Sequence, residues 1–313
     1  MKVGIIGAGF VGSTTAYTLA IKDLAQQIVM IDINQTKAEA EALDILHAAA
    51  MNCGCDITFG DYADLAHTDV VVITVDSQKS LNGDRLALLE SNTKIMKEVV
   101  PGIVKYALQS IILIATNPVD VITRVVLELS KFPANRVIGS GTVLDTARFR
   151  EILAEQLGNI SPKSIHAYVL GEHGNSSLVS WSTVDVGGAR IEDFEKSFNK
   201  KLSAKDKEKI AHDVIDAGFK IYRGKKATYY GIASSLVKII TAIAHNTKEI
   251  LTVSTRHKDV EGIKDVCLSL PTIIDKDGAH NAFVPSLSDE EKSKLKESAE
   301  IMDKANKEAL TFL

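Results

Sequence analysis

The feature that most constrains the fold is a glycine turn set between a short apolar run and a helical pattern. Lys2 to Ile6 is followed by Gly7-Ala8-Gly9-Phe10-Val11-Gly12, and a helix is predicted from about Val11 to Lys22. A second apolar run, Ile28 to Ile31, then ends in Asp32. In a strand–turn–helix of this spacing the first glycine permits a tight turn. The second lets backbone approach a pyrophosphate closely, and the third lets helix pack on strand. The helix amino terminus presents unpaired N–H groups to the phosphates. A carboxylate about 20 residues beyond the glycines, at a strand end, is placed to bind adenosine ribose hydroxyls. Asp32 would repel a 2′-phosphate, and Ile33 and Asn34 supply no arginine to offset it, which favours NAD over NADP. A glycine turn with no ligand is the alternative reading.

Strand and helix signals continue to alternate, with strands near Ile57 to Phe59, Val70 to Thr74 and Ile111 to Ala115. Runs such as Val70-Val71-Val72-Ile73 suit parallel strands covered on both faces. The fold expected is α/β: a doubly wound (Rossmann) parallel sheet over residues 1–142, then a mixed α+β catalytic domain over residues 143–313. Ligands of such a sheet bind at the carboxyl ends of its strands. Two polar segments fall there: residues 76–85, expected to be a mobile lid, and Thr116-Asn117-Pro118-Val119-Asp120. Arg85 closes the first, although a lone loop arginine is by default a solvated charge.

In the second half, Gly139-Ser140-Gly141-Thr142 leads into a helix predicted from Val143 to Leu157. Asp145 and Arg148 share one face of it, and Arg150 points nearly the opposite way. An intrahelical ion pair is one reading, worth a few tenths of a kcal/mol. The other gives Asp145 the task of orienting a histidine and Arg148 that of gripping a substrate carboxylate with two hydrogen bonds. The histidine is His173, set between glycines in Leu170-Gly171-Glu172-His173-Gly174-Asn175-Ser176. An imidazole titrates near neutral pH and can give and take a proton, though a satisfied polar residue is the blander account. A strand from Ser180 to Val186 follows. Glu195 to Lys209 is read as solvated surface, with helices over Ala204 to Tyr222 and Thr228 to Asn246. Strands near Ile250 to Ser254 and Val266 to Leu270 precede an amphipathic helix from Asp289 to Leu313.

Other classes are disfavoured by composition. A net charge of −4 gives no electrostatic reason to expect nucleic acid or an anionic membrane as partner. Three cysteines, Cys53, Cys55 and Cys267, match neither a disulfide framework nor a zinc site, so no metal is expected. The apolar start is broken by Ser13, Thr14 and Thr15, unlike a signal peptide, and no apolar run reaches the roughly 18 residues of a membrane span. A cytoplasmic protein is expected.

Taken together, Gly7 to Gly12, Asp32, Asn117 to Asp120, Gly139 to Arg148 and Gly171 to Gly174 resemble the L-lactate/malate dehydrogenase family over nearly the whole chain. The resemblance implies NADH-dependent reduction of a 2-keto acid to an L-2-hydroxy acid, foremost pyruvate to lactate. It implies that His173 is the acid–base residue, Asp145 its partner, Arg148 the carboxylate anchor and Arg85 the lid arginine that polarises the carbonyl. It places Gly7, Gly9, Phe10, Val11, Gly12, Asp32, Asn117 and Ile232 at the cofactor, and Gln78, Asn117 and Thr228 at the substrate. A homotetramer is implied as well. Arg150 and His166 match the positions that bind fructose 1,6-bisphosphate in allosteric members.

Two departures bear on the substrate. The lid, Gln78-Lys79-Ser80-Leu81-Asn82-Gly83-Asp84-Arg85, is one residue longer between glutamine and arginine than in typical lactate dehydrogenases, and Asn175 replaces the usual aspartate. Both are similar to L-2-hydroxyisocaproate dehydrogenases, which take bulkier side chains, and this remains the alternative activity. No lid arginine stands at the selecting position, against malate. A catalytically silent NAD-binding protein on the same fold is the alternative from another class.

Overall fold

The computed structural model describes residues 1–77 and 85–313, with no side chain described for residues 85–87. Its first half alternates β1 (Lys2–Ile6), α1 (Phe10–Ile21), β2 (Gln27–Ile31), α2 (Gln35–Ala49), β3 (Asp56–Phe59) and β4 (Val70–Ile73). There follow α3 (Arg85–Tyr106), β5 (Ile111–Ile114), α4 (Val119–Ser130) and β6 (Val137–Gly139). These strands pair in parallel in the order β3-β2-β1-β4-β5-β6. Strand order reverses between β1 and β4, and that crevice is the position a dinucleotide takes in such sheets.

Every residue of β4 and β5 is buried. Alternate side chains serve opposite faces: Val71 and Ile73 pack with Met96, Val100 and Ile103 of α3, while Val70 and Val72 join the core under α1 and α2. Burial on both faces is why these strands read as continuous apolar runs. Each fully buried Val or Ile contributes roughly 1.5–3 kcal/mol.

The second half comprises α5 (Val143–Gln156), β7 (Ile165–Leu170), β8 (Leu178–Val186), β9 (Ala189–Arg190), α6 (Ile191–Ser197), α7 (Ala204–Lys225) and α8 (Tyr230–Ala244). It ends with β10 (Glu249–Val260), β11 (Ile263–Asp275), β12 (Gly278–His280) and α9 (Asp289–Leu310). β7, β8 and β9 form a small antiparallel sheet whose core includes Phe149 and Leu153 of α5 and Val214 of α7.

Two features join the second half to the first. β10 and β11 form one long antiparallel hairpin, and β10 pairs with β6 through Ser254 and Gly139, extending the parallel sheet. This pairing covers the edge that β6 would otherwise expose. Helices of the second half also cover the first: Leu236 and Ile240 of α8 pack on one face of the sheet, Leu295 and Met302 of α9 on the other. Just before Glu195 to Lys209, read as surface, Phe194 anchors the short α6, and within that stretch Ser203 opens α7 with a reciprocal cap to Asp206. Thr228 lies in the link before α8, which starts at Tyr230.

Candidate active site

The glycine turn joins β1 to α1 at the crevice. Gly7 has φ +109°, and a Cβ there would lie 2.7 Å from Thr74 Oγ1. A Cβ on Gly12 would sit 1.9 Å from the Gly7 carbonyl oxygen, so helix and turn touch only because residue 12 is glycine. Gly9 differs: a Cβ on it would meet nothing within 4 Å, and it caps α1 without any side-chain hydrogen bond. Space above Gly9 and free N–H groups in the first turn make a cradle suited to a pyrophosphate. Asp32 accepts from the Ala8 N–H at 2.7 Å and from the Asn34 N–H at 2.9 Å. A carboxylate has about four lone-pair sites, so these bonds fix its direction and leave capacity for ribose hydroxyls. Phe10 is 69% exposed at the start of α1, and its ring stacks on Tyr229 at 5.2 Å. Val11 and Ile232 pack half-buried against the core shared by α1 and α8. The donor set and the open cradle therefore fit NAD.

Polar contacts lead from this turn to the histidine. The Thr74 hydroxyl, just beyond β4, donates to the Gly7 carbonyl at 2.9 Å. Two residues on, Asp76 Oδ1 accepts from Asn92 Nδ2 at 2.7 Å, and the same amide group donates to the Asn117 carbonyl at 2.6 Å. Asn92 Oδ1 accepts from the Ser77 N–H at 2.8 Å. This buried amide on α3 thus ties together the segments leaving β4 and β5. Asn117 precedes Pro118 through a cis peptide, and Asp120 in the first turn of α4 accepts from the His173 backbone N–H at 2.8 Å.

His173, Asp145 and Arg148 form one cluster. His173 Nδ1 lies 2.6 Å from Asp145 Oδ2, and Arg148 Nη1 donates to Asp145 Oδ1 at 3.0 Å. Asp145 and Arg148 therefore pair along the helix, and the other oxygen of Asp145 holds the imidazole. Burial would raise the Asp145 carboxyl, but His173 and Arg148 hold it below the usual carboxylate range. Burial would lower the imidazole, yet Asp145, through charge and hydrogen bond, lifts it above its ordinary value. With Nδ1 committed to Asp145, Nε2 is the nitrogen left to exchange a proton. The His173 side chain is 28% exposed and that of Arg148 16%, so both reach solvent-accessible space from a buried carboxylate.

Among the described residues, no hydrogen bond or ion pair joins the other expected residues to this cluster. Thr228 is exposed in the α7–α8 link, and Asn117 is exposed at the end of β5. Gln78 lies outside the described residues, as does the side chain of Arg85, the first residue of α3. Arg150 turns away from Arg148, donating from Nε and Nη2 to the Ala167 carbonyl at 3.1 and 3.0 Å beside the Tyr168 ring. His166, one residue before Ala167 on β7, is exposed. Three residues with no assigned role in the sequence belong to the site. Asn92 and Asp120 support it from beneath. Gly218 on α7 faces Arg148, since a Cβ there would come 3.7 Å from Nη2. Only the Asn117-Pro118-Val119-Asp120 motif signalled Asp120, and nothing local marked the other two.

A carbonyl can accept a hydride at carbon only if its oxygen is protonated or otherwise neutralised as the charge develops. An imidazole held by a carboxylate, linked through the strand ends to a dinucleotide cradle, supplies that condition and defines the class, an NAD-dependent oxidoreductase. Residues 1–139 match the family model for the lactate/malate dehydrogenase NAD binding domain, and residues 142–313 match that for the lactate/malate dehydrogenase alpha/beta C-terminal domain. The chain belongs to the lactate/malate dehydrogenase family. It is 43% identical over 302 residues to an L-lactate dehydrogenase of Thermus aquaticus, spanning 96% of this chain and 97% of that one. An L-lactate dehydrogenase of Clostridium perfringens strain SM101 is 41% identical over 301 residues, spanning 96% and 95%. Among solved structures, the minor L-lactate dehydrogenase of Enterococcus mundtii in a ligand-bound form superposes with a TM-score of 0.93 at 34% identity, over 98% of this chain and 97% of that one. A lactate dehydrogenase from a Medee basin deep-sea metagenome gives 0.94 at 38% identity, over 98% of both.

Proposed function

We propose that the chain catalyses the reversible reduction of pyruvate to L-lactate. The observation that carries the reading is the His173–Asp145–Arg148 cluster, with contacts of 2.6 and 3.0 Å on the two oxygens of one carboxylate. Gly7, Gly9, Gly12 and Asp32 hold NADH, aided by Phe10, Val11, Asn117 and Ile232. NADH, when bound, supplies the hydride for C2 of the keto acid. Protonated His173 gives its proton from Nε2 to the substrate oxygen, and Asp145 stabilises the imidazolium until then. Arg148 keeps donors beyond the one given to Asp145, so its guanidinium can bind the substrate carboxylate. Arg85 stabilises negative charge developing on the reacting oxygen, with Gln78, Asn117 and Thr228 around the substrate.

One observation favours a second reading. The lid is one residue longer between Gln78 and Arg85 than in typical lactate dehydrogenases, and this supports 2-keto acids larger than pyruvate, as for L-2-hydroxyisocaproate dehydrogenases. The deciding experiment measures kcat/KM with NADH for pyruvate, 2-ketoisocaproate and oxaloacetate. Pyruvate first and oxaloacetate last supports the lactate reading. A higher value for 2-ketoisocaproate moves the assignment to branched substrates, and no turnover of any would leave a silent NAD-binding protein.

Three finer points belong to the same proposal. The chain works as a homotetramer, which sedimentation velocity tests directly. Fructose 1,6-bisphosphate binds at Arg150 and His166 of facing subunits. No helix among the described residues is long and apolar enough to cross a membrane, and we assign the protein to the cytoplasm.

A further inference from the structure

Asp120 is 2% exposed, in the first turn of α4, and is not among the residues assigned to proton transfer or substrate binding. Its Oδ2 accepts from the His173 backbone N–H at 2.8 Å, across 53 residues of chain. Its Oδ1 is buried and accepts no hydrogen bond among the described residues. Leaving a buried carboxylate oxygen unpaired costs roughly 1–3 kcal/mol or more, so the group is poorly explained as a helix-start residue alone. An Asn would accept the His173 N–H as well without burying a charge.

The surroundings of Asp120 contain few charges. On its own helix Arg124 is committed to Asp265 and Glu128. From β11, the Cys267 thiol is pushed up to about 12 by burial and is neutral. From β10, the Ser254 hydroxyl lies near enough to favour the carboxylate without completing a hydrogen bond. Glu172 and His173 come from the turn after β7, Glu172 opposing ionisation and His173 favouring it. From α5, Asp145 holds the ring itself through Nδ1, and Arg148 pairs with Asp145.

We propose that Asp120 is a positioning residue for proton transfer, clamping the His173 backbone while its charge adds to that of Asp145 in stabilising the imidazolium. The inference rests on His173 being the proton donor of the proposed reaction. Burial pushes the Asp120 carboxyl up to about 6, so its charge is present at neutral pH and is lost as the medium turns acidic. Asp120 also lifts the imidazole, after Asp145.

The test is Asp120→Asn, which keeps an oxygen for the His173 N–H and removes the charge. The first readout is the titration of the His173 ring by NMR in the cofactor-free protein, assigned with His173→Gln. The His173 pKa is expected to fall by roughly half a unit to one unit. The second readout is kcat/KM for pyruvate against pH. It should match wild type well below the His173 pKa and fall about three- to tenfold above it. An unshifted titration in a folded Asp120→Asn protein overturns the proposal and leaves Asp120 a structural acceptor for the His173 N–H. If that variant does not fold, Ser254→Ala serves instead, because losing the hydroxyl favours neutral Asp120. Its His173 titration should move in the same direction, and an unmoved one also overturns the proposal. Because the titration needs no turnover, an inactive wild type would count against the dehydrogenase reading alone.

Discussion

Asp145 Oδ2 and His173 Nδ1 are 2.6 Å apart although 28 residues separate them in the chain. Asp145 rides the first turn of α5 and His173 the turn after β7, and α5 packs on β7 through Phe149, Leu153, Ala167 and Val169. The hydrogen bond is therefore set by the packing of a helix on a small sheet.

Replacing His173 with Asn should lower kcat for pyruvate reduction by roughly 10²–10⁴, with the NADH dissociation constant nearly unchanged. Steady-state kinetics and fluorescence titration of NADH check the two halves. Activity within threefold of wild type would remove His173 from the mechanism.

The pair also makes stability depend on pH, with a sign that follows from the shifts. His173 is raised, so its contribution is complete below the ordinary imidazole value of about 6.5 and is lost as pH rises through the folded value. Asp145 is lowered, so its contribution is present above the ordinary carboxyl value of about 3.9 and is lost as pH falls through the folded value. Asp145→Asn should thus cost most stability between about pH 4 and 6.5 and less on either side. Thermal melts across pH 3–9, taken as differences between variant and wild type, read this; a pH-independent difference would contradict it.

Two glycines of one turn should fail differently. Gly9→Ala places a methyl in open space, so the melting temperature should hold while NADH binding weakens about tenfold or more. Gly12→Ala drives a methyl into the Gly7 carbonyl and should destabilise the fold by roughly 1–3 kcal/mol. Equal NADH affinity for Gly9→Ala and wild type would mean that the cradle does not hold the pyrophosphate.

Cofactor choice should turn on Asp32. Asp32→Ser with Ile33→Arg removes a repelling charge and adds a phosphate partner, so kcat/KM for NADPH over NADH should rise. Ile33 is fully exposed, which makes the arginine tolerable. An unmodified protein that already used both cofactors equally would refute the role given to Asp32.

Regulation by a sugar bisphosphate has a sharp test. Fructose 1,6-bisphosphate at millimolar concentration should activate pyruvate reduction, by binding the more active arrangement preferentially. Arg150→Gln should abolish the effect. Arg150 donates to the Ala167 carbonyl, so the wild type must free or share that guanidinium to bind phosphate. Superimposable wild-type curves with and without the sugar would leave Arg150 a structural residue.

Much of the molecule follows from local pattern. The glycine spacing before α1, Asp32 at the end of β2 and the all-apolar β4 and β5 are written in consecutive residues, because turn geometry and two-sided burial act over a few positions. The pairing of Asp145 with Arg148 on one helix face is legible for the same reason. The extension of the sheet by β10 and β11 was not, since an antiparallel hairpin carries no mark of which edge it will cover. Nor were the deeper supports of the site. Asn92 joins Asp76, Ser77 and Asn117, Asp120 holds His173, and Gly218 faces Arg148. Each contact unites residues far apart in sequence, and only the packing of α3, α4 and α7 around the strand ends brings them within a few ångströms. Sequence determined which chemistry the chain carries; tertiary structure decided which groups share a carboxylate, because hydrogen bonds and charge act over distance in space rather than along the chain.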